Sequence, residues 1–235
     1  MLQVRSAPIL GLGVVGWVTW ALFGLTLCAL VFRNVERLSP ADRVTMTRAL
    51  LVGAVTALVA ESFVRSVPVA IIVATASVAL VLDLVDGKVA RRTGSVSKFG
   101  ARFDMEVDAF LIMALSVYVS RSLGWWVLAI GVMRYAYVAA GWAMPWLRRP
   151  APPRYWCKVV AAIEGIVLTV AASGLLPWMV NLVAVACALA LLIESFGRDV
   201  LWQWRHRSGD AAGIDVSGAA QRAKPVKQAQ QAGRV

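Results

Sequence analysis

The apolar residues of this chain are gathered into long runs, at positions 8–32, 67–84, 123–146, 159–176 and 178–193. Two further runs, 45–60 and 104–119, open on polar residues before turning apolar. A helix needs about 20 mostly apolar residues to cross the hydrocarbon core of a bilayer, and these runs approach or exceed that length. A chain so patterned is expected to fold as an all-α, polytopic transmembrane helical bundle of seven spans. Its composition agrees: 60% of residues are hydrophobic and only 16% charged, with a mean hydropathy of +0.71, values that belong to membrane proteins. The first run is too long for a signal-peptide core and lacks a small-residue cleavage site, so it reads as a retained helix. In the run at 123–146, Trp125 and Trp126 stand at one end and Trp142 and Trp146 at the other, the aromatic belts expected at the two membrane surfaces. Pro177 breaks the last two runs into a helical hairpin.

The charges fix an orientation. The net charge is +11, which in a soluble protein would suggest nucleic acid, but the basic residues are divided among alternate loops instead of forming one continuous face. The segments 33–44, 87–103, 146–158 and 197–235 carry 3, 5, 4 and 7 Lys or Arg, which is 19 of the 24. The intervening turns near Arg65, Arg121 and Pro177 carry two between them. By the positive-inside rule the first set is cytoplasmic, so the partner of this charge is the lipid bilayer and no nucleic acid is expected. Seven spans then place the N-terminus outside and the C-terminus inside. Cys28, Cys157 and Cys187 form no close-spaced pair and read as packing residues, with neither a disulfide framework nor a zinc site. From Arg207 onward the chain is Gly, Ala, Gln and Ser with scattered charge, a composition that cannot bury a core and reads as a disordered tail. The expected organisation is an N-terminal transmembrane helix with its polar connector at 1–44, a membrane domain at 45–206, and a cytoplasmic tail at 207–235.

The chemistry is concentrated between positions 83 and 108, DLVDGKVARRTGSVSKFGARFDMEVD. Asp83 and Asp86 stand three apart, Asp104 and Asp108 four apart, so each pair projects from one face of its own helix. The first pair closes one apolar run and the second opens another, which brings two acidic helix ends to one level. Four crowded carboxylates repel one another, and uncompensated charge beside an apolar interior is costly. Lys88, Arg91, Arg92, Lys98 and Arg102 of the connector can offset part of it. Hard divalent cations suit an all-oxygen cluster better, and Mg²⁺ in particular takes carboxylates together with phosphate oxygens. Two such ions about 3.5–4 Å apart would clamp the attacking and leaving oxygens of a phosphoryl displacement. Gly87, Ala90 and Gly100 are small residues beside the acids, leaving room for a ligand to approach the backbone.

Asp83, Asp86, Gly87, Ala90, Arg91, Gly100, Asp104 and Asp108 reproduce, with no position missing, the pattern D-x2-D-G-x2-A-R-x8-G-x3-D-x3-D. From ordinary residue usage, eight specified residues fall into register by chance about once in 10¹⁰ starting positions. This stretch resembles the signature of the CDP-alcohol phosphotransferases. Thr45 and Arg48 resemble a second, weaker pattern of that family, N-x-x-T-x-x-R at the start of its first core helix, with Asp42 where Asn is commoner. The resemblance implies six core helices, so that the helix at 8–32 is an addition. It also implies a homodimer and transfer of the phosphatidyl group of CDP-diacylglycerol, or another CDP-alcohol, to an alcohol or alcohol-phosphate acceptor with release of CMP. Asp83, Asp86 and Asp104 would hold two Mg²⁺ or Mn²⁺ ions; Asp108 would act as general base and also touch the second metal. Asp83, Asp86, Gly87, Ala90, Arg91 and Gly100 would meet the nucleotide, Arg91 at the phosphate and the small residues beneath the cytidine.

Four cations are candidates for the acceptor. Arg134 lies inside an apolar run, where a charge is expensive and faces a cavity or a carboxylate; Glu106 or Glu164 is its alternative partner. Arg149, Arg154 and Lys158 could bind an anionic acceptor, or simply contact lipid headgroups. Glu194 and His206 receive no role. Phosphatidylglycerophosphate synthases often carry a Pro after the third Asp and a Lys-Thr pair before the fifth core helix, and this chain has neither, which leaves the acceptor open. Two other readings of the acids stand beside the enzyme: a membrane transporter or ion-binding protein, and an inactive assembly protein on the same fold. Acids collected at one face, with no inverted repeat, argue against the first. The intact eight-residue signature argues against the second.

Overall fold

The computed structural model describes residues 12–34, 40–93, 98–148 and 155–206. Their regular structure is helical, with no strand among the described residues: α1 (Val14–Asn34), α2 (Pro40–Glu61), α3 (Val69–Thr93), α4 (Lys98–Leu123), α5 (Leu128–Ala143), α6 (Tyr155–Ser173) and α7 (Trp178–Arg205). Short 3₁₀ turns at Trp125–Val127 and Pro145–Arg148 flank α5, so the run at 123–146 is one α-helix with a tighter turn at each end. Among the described residues, three helical segments, Trp125–Ala143, Trp156–Ser173 and Trp178–Arg205, are long and apolar enough to cross a membrane.

The basic connector differs most from expectation. It is largely helical, since α3 continues to Thr93 and α4 already begins at Lys98. Hydropathy falls away after Leu84, but Lys88, Ala90, Arg91 and Arg92 are good helix formers, so the helix runs on where the apolar run stops.

The core lies where α2 and α4 meet their neighbours; α2 packs against α1, α3 and α4, and α4 also against α5 and α6. Each of the three helices around the site shows a buried stripe at helical spacing: Arg48, Val52 and Val55 on α2, Ile72, Ala76 and Ala79 on α3, Leu111 and Leu115 on α4. Extended by one turn, the α3 stripe reaches Asp83 and the α4 stripe reaches Asp108; a second turn of α4 reaches Asp104. The outer faces keep Val78, Val81, Ile166, Val170, Val183 and Ile193 exposed, as suits helices whose surroundings are lipid.

At the end of the bundle remote from these acids three turns are tied together. Arg121, at the end of α4, donates from Nη1 to the carbonyl and the hydroxyl of Ser62, both at 3.0 Å, and lies 4.9 Å from the Phe63 ring centroid. Trp178 donates to the Ser122 carbonyl at 3.4 Å. Gly124 and Gly174 take positive φ there, 105° and 64°, which a side chain would resist. The start of α1 docks at the same end: the Gly16 N–H donates to Glu61 Oε2 at 2.8 Å, and a side chain at Gly13 would collide with that carboxylate.

Candidate active site

The site is assembled by three helices. Asp83 comes from α3, Asp104 and Asp108 from α4, and one carboxylate oxygen of each lies within 4.8 Å of the others. Their side chains are 34%, 40% and 34% exposed, open enough to admit a ligand while resting on the buried stripes beneath. The structure thus brings together three of the four acids the sequence singles out. The backbone of Asp86, Gly87, Ala90 and Arg91 continues α3 past Asp83; their side chains lie outside the described residues. Gly100 is half-buried on α4, one turn before Asp104.

Among the described residues, the cation in direct contact with all three acids is Arg48, from α2. Its side chain is 1% exposed, and its guanidinium reaches Asp83 Oδ1 at 2.6 Å through Nη1 and Asp108 Oδ1 at 2.7 Å through Nη2. Nη1 is also 2.7 Å from Asp104 Oδ1, and Nη2 donates to the Asp104 carbonyl at 3.2 Å. One guanidinium therefore ties two acid-bearing helices to a third. The side chains of Lys88, Arg91, Arg92, Lys98 and Arg102, expected to share this task, lie outside the described residues. Thr45, one turn before Arg48, is also buried. The sequence signal for Arg48 is its place, with Thr45, in the weaker N-x-x-T-x-x-R pattern; its partners, 35 to 60 positions away, are not legible there.

Three carboxylates against one guanidinium leave two negative charges over, before Asp86 is counted. That excess and the all-oxygen donor set are what a hard divalent cation requires, and Asp83, Asp104 and Asp108 fit it.

The acceptor candidates are dispersed. Lys158 is exposed on α6, close enough to Asp83 to interact with it electrostatically. Arg134 pairs with Glu106 across α5 and α4 at 2.9 Å, the alternative weighed from the sequence. Arg149 and Arg154 lie outside the described residues. Glu194 pairs with Arg198, and the exposed His206 ring stacks on Trp202. Glu164 is fully buried on α6, and among the described residues neither oxygen has a hydrogen-bond partner. Cys157 and Cys187 are free thiols, Cys187 on the outer face of α7. A cavity of about 440 Å³ opens between the start of α6 and the end of α7, lined among others by Trp156, Cys157, Arg198, Trp202 and Arg205. None of the three clustered acids lines it.

Comparison with curated proteins and with solved structures gave no match. The family model of the CDP-alcohol phosphatidyltransferases matches residues 38–193, a span that runs from the residues before α2 into α7 and leaves α1 outside. Its match covers the three helices that build the acid cluster, so this chain, an integral-membrane transferase of phospholipid synthesis, belongs to the CDP-alcohol phosphatidyltransferase family.

Proposed function

We propose that the protein moves the phosphatidyl group of CDP-diacylglycerol, or the phospho-alcohol group of a related CDP-alcohol, to an acceptor hydroxyl at the cytoplasmic face of the membrane. The observation that carries this reading is the convergence of Asp83, Asp104 and Asp108, from two helices, to within 4.8 Å, at the positions the family signature specifies. Asp83, Asp86 and Asp104 hold two divalent ions, Mg²⁺ or Mn²⁺, with Asp108 touching the second. Bound there, such ions supply charge neutralisation for the pyrophosphate and ease loss of the acceptor hydroxyl proton.

Asp108 accepts the proton of the attacking hydroxyl as the new bond forms between that oxygen and the lipid-side phosphorus. The bond from this phosphorus to the bridging oxygen breaks, and CMP leaves with the electron pair. Gly87, Ala90 and Gly100 give the cytidine room, and Arg91 faces its phosphate. Lys158, beside Asp83, and Arg154, four positions earlier in the sequence, hold an anionic acceptor. Arg134 joins them by exchanging its carboxylate partner Glu106 for the acceptor. The protein works as a homodimer, as the family does.

The test is purified protein with CDP-diacylglycerol, a divalent metal and a panel of alcohols and alcohol phosphates, followed by CMP release. Transfer should need the metal and vanish in Asp83→Asn, Asp86→Asn and Asp104→Asn. Full turnover in excess chelator would dismiss the two-metal reading.

A further inference from the structure

Arg48 is almost wholly buried, sits on a helix that carries none of the eight signature residues, and contacts all three of the clustered carboxylates. Buried guanidinium groups are retained where a planar, permanently charged fork matches carboxylate geometry. Here the fork is divided over three acids from two helices, and α2 beneath it is fixed by the buried Ala49, Val52 and Val55. The same three carboxylates are the group whose oxygens lie close enough together to share an ion. Asp83 Oδ1 and Asp108 Oδ1 cannot give their best lone-pair directions to Nη1 and Nη2 at 2.6 and 2.7 Å and to a divalent ion at about 2.0–2.1 Å at once.

We propose that Arg48 is a built-in counter-cation of the metal centre: it holds the two acid-bearing helices together through their carboxylates, and divalent ions bind by taking carboxylate oxygens from it. Metal affinity is then set by competition with this guanidinium, and the cluster need not fly apart when metal is scarce. The inference rests on the metal-dependent reading above, and gives a role to a residue that lies outside the eight-residue signature, in the weaker pattern at the start of α2. Arg48 acts through the carboxylates and is in that sense a positioning residue.

A residue that merely supports the fold and a competing cation make opposite predictions for metal binding. The test uses the full-length protein in detergent or nanodiscs, with Mn²⁺ as the probe. Free Mn²⁺ is counted by electron paramagnetic resonance, and thermal unfolding is followed with Mn²⁺ and with chelator. Arg48→Gln, which removes one positive charge from contact with three negative ones, should bind Mn²⁺ about tenfold tighter or more. It should also unfold earlier than wild type in chelator and gain more from added Mn²⁺. Arg48→Lys keeps the charge but loses the fork, and should fall between the two; it carries the comparison if Arg48→Gln does not fold without metal. Weaker or unchanged Mn²⁺ binding in the variants, with wild type binding normally, overturns the role of Arg48 alone. No Mn²⁺ binding by wild type overturns the metal-dependent reading, and this inference with it.

Discussion

Asp104 and Asp108 share a helix face and share Arg48, yet their positions along α4 differ by one turn, about 6 Å. Asp104 is nearer the connector, where a solvent-facing phosphate would lie; Asp108 is deeper, nearer the apolar stripe that continues into Leu111 and Leu115. A carboxylate at that depth is better placed for a hydroxyl held between the site and its apolar wall. Asp108→Asn should therefore abolish transfer while largely sparing metal-dependent binding of the CDP-alcohol, because losing a base weakens the transition state more than the ground state. Asp104→Asn should abolish transfer and weaken donor binding as well. Donor binding measured beside CMP release in the two variants decides it, and loss of donor binding in Asp108→Asn as complete as in Asp104→Asn would make Asp108 chiefly a metal ligand. The acids themselves were legible in the sequence, because carboxylates at i,i+3 and i,i+4 on two apolar helix ends are a local pattern. Arg48 is legible as part of the weaker N-x-x-T-x-x-R pattern and not as their partner, since pairing across 35, 56 and 60 positions is a property of packing.

The helices were readable from hydropathy to the extent that lipid contact shaped them. Where α3 leaves the apolar region hydropathy stops reporting, and only the propensity of Lys88, Ala90, Arg91 and Arg92 announces that the helix goes on to Thr93. The added helix α1 is a different case: it lies outside the matched residues 38–193, yet it is docked by specific contacts that no apolar run could reveal. Glu61, nearly fully buried, accepts the Gly16 N–H at the start of α1 and pairs with Arg65 at 3.0 Å, placing a negative charge where a helix N-terminus favours one. Further along, Gly53 leaves the space that the Phe23 ring fills, and that ring stands 5.1 Å from Phe110. Glu61→Ala leaves a buried N–H without its acceptor, at a cost of about 1–3 kcal/mol, and should lower the unfolding temperature. Glu61 and Arg48 are thirteen residues apart on α2, about 20 Å, so Mn²⁺ binding should be unchanged. A variant with normal thermal stability, or one that loses Mn²⁺ binding in proportion, would show that α1 is not held in this way.

On the scale of the whole molecule, the two ends of the bundle differ in kind. One end carries the acid cluster with Arg48; the other carries the turns joined by Arg121 and Trp178 and poor in basic residues. Because Gly16 meets Glu61, α1 starts at the turn end and runs antiparallel to α2, which is the sense required if the chain crosses an odd number of times and finishes opposite its beginning. By the positive-inside rule, the basic segments read from the sequence would put the acid-cluster end in the cytoplasm, as the proposed function requires. The assignment can be checked without any assay of activity. In a background with Cys28, Cys157 and Cys187 replaced, single cysteines at Ser95 and Ser217 should react with a membrane-impermeant maleimide only after the cells are opened. A cysteine at Leu175, exposed in the turn between α6 and α7, should react in intact cells. The reverse pattern would place the acids outside, away from a nucleotide-activated donor made in the cytoplasm, and the proposed reaction could not run there. Labelling of Leu175 and Ser95 from the same side would remove the antiparallel crossing itself.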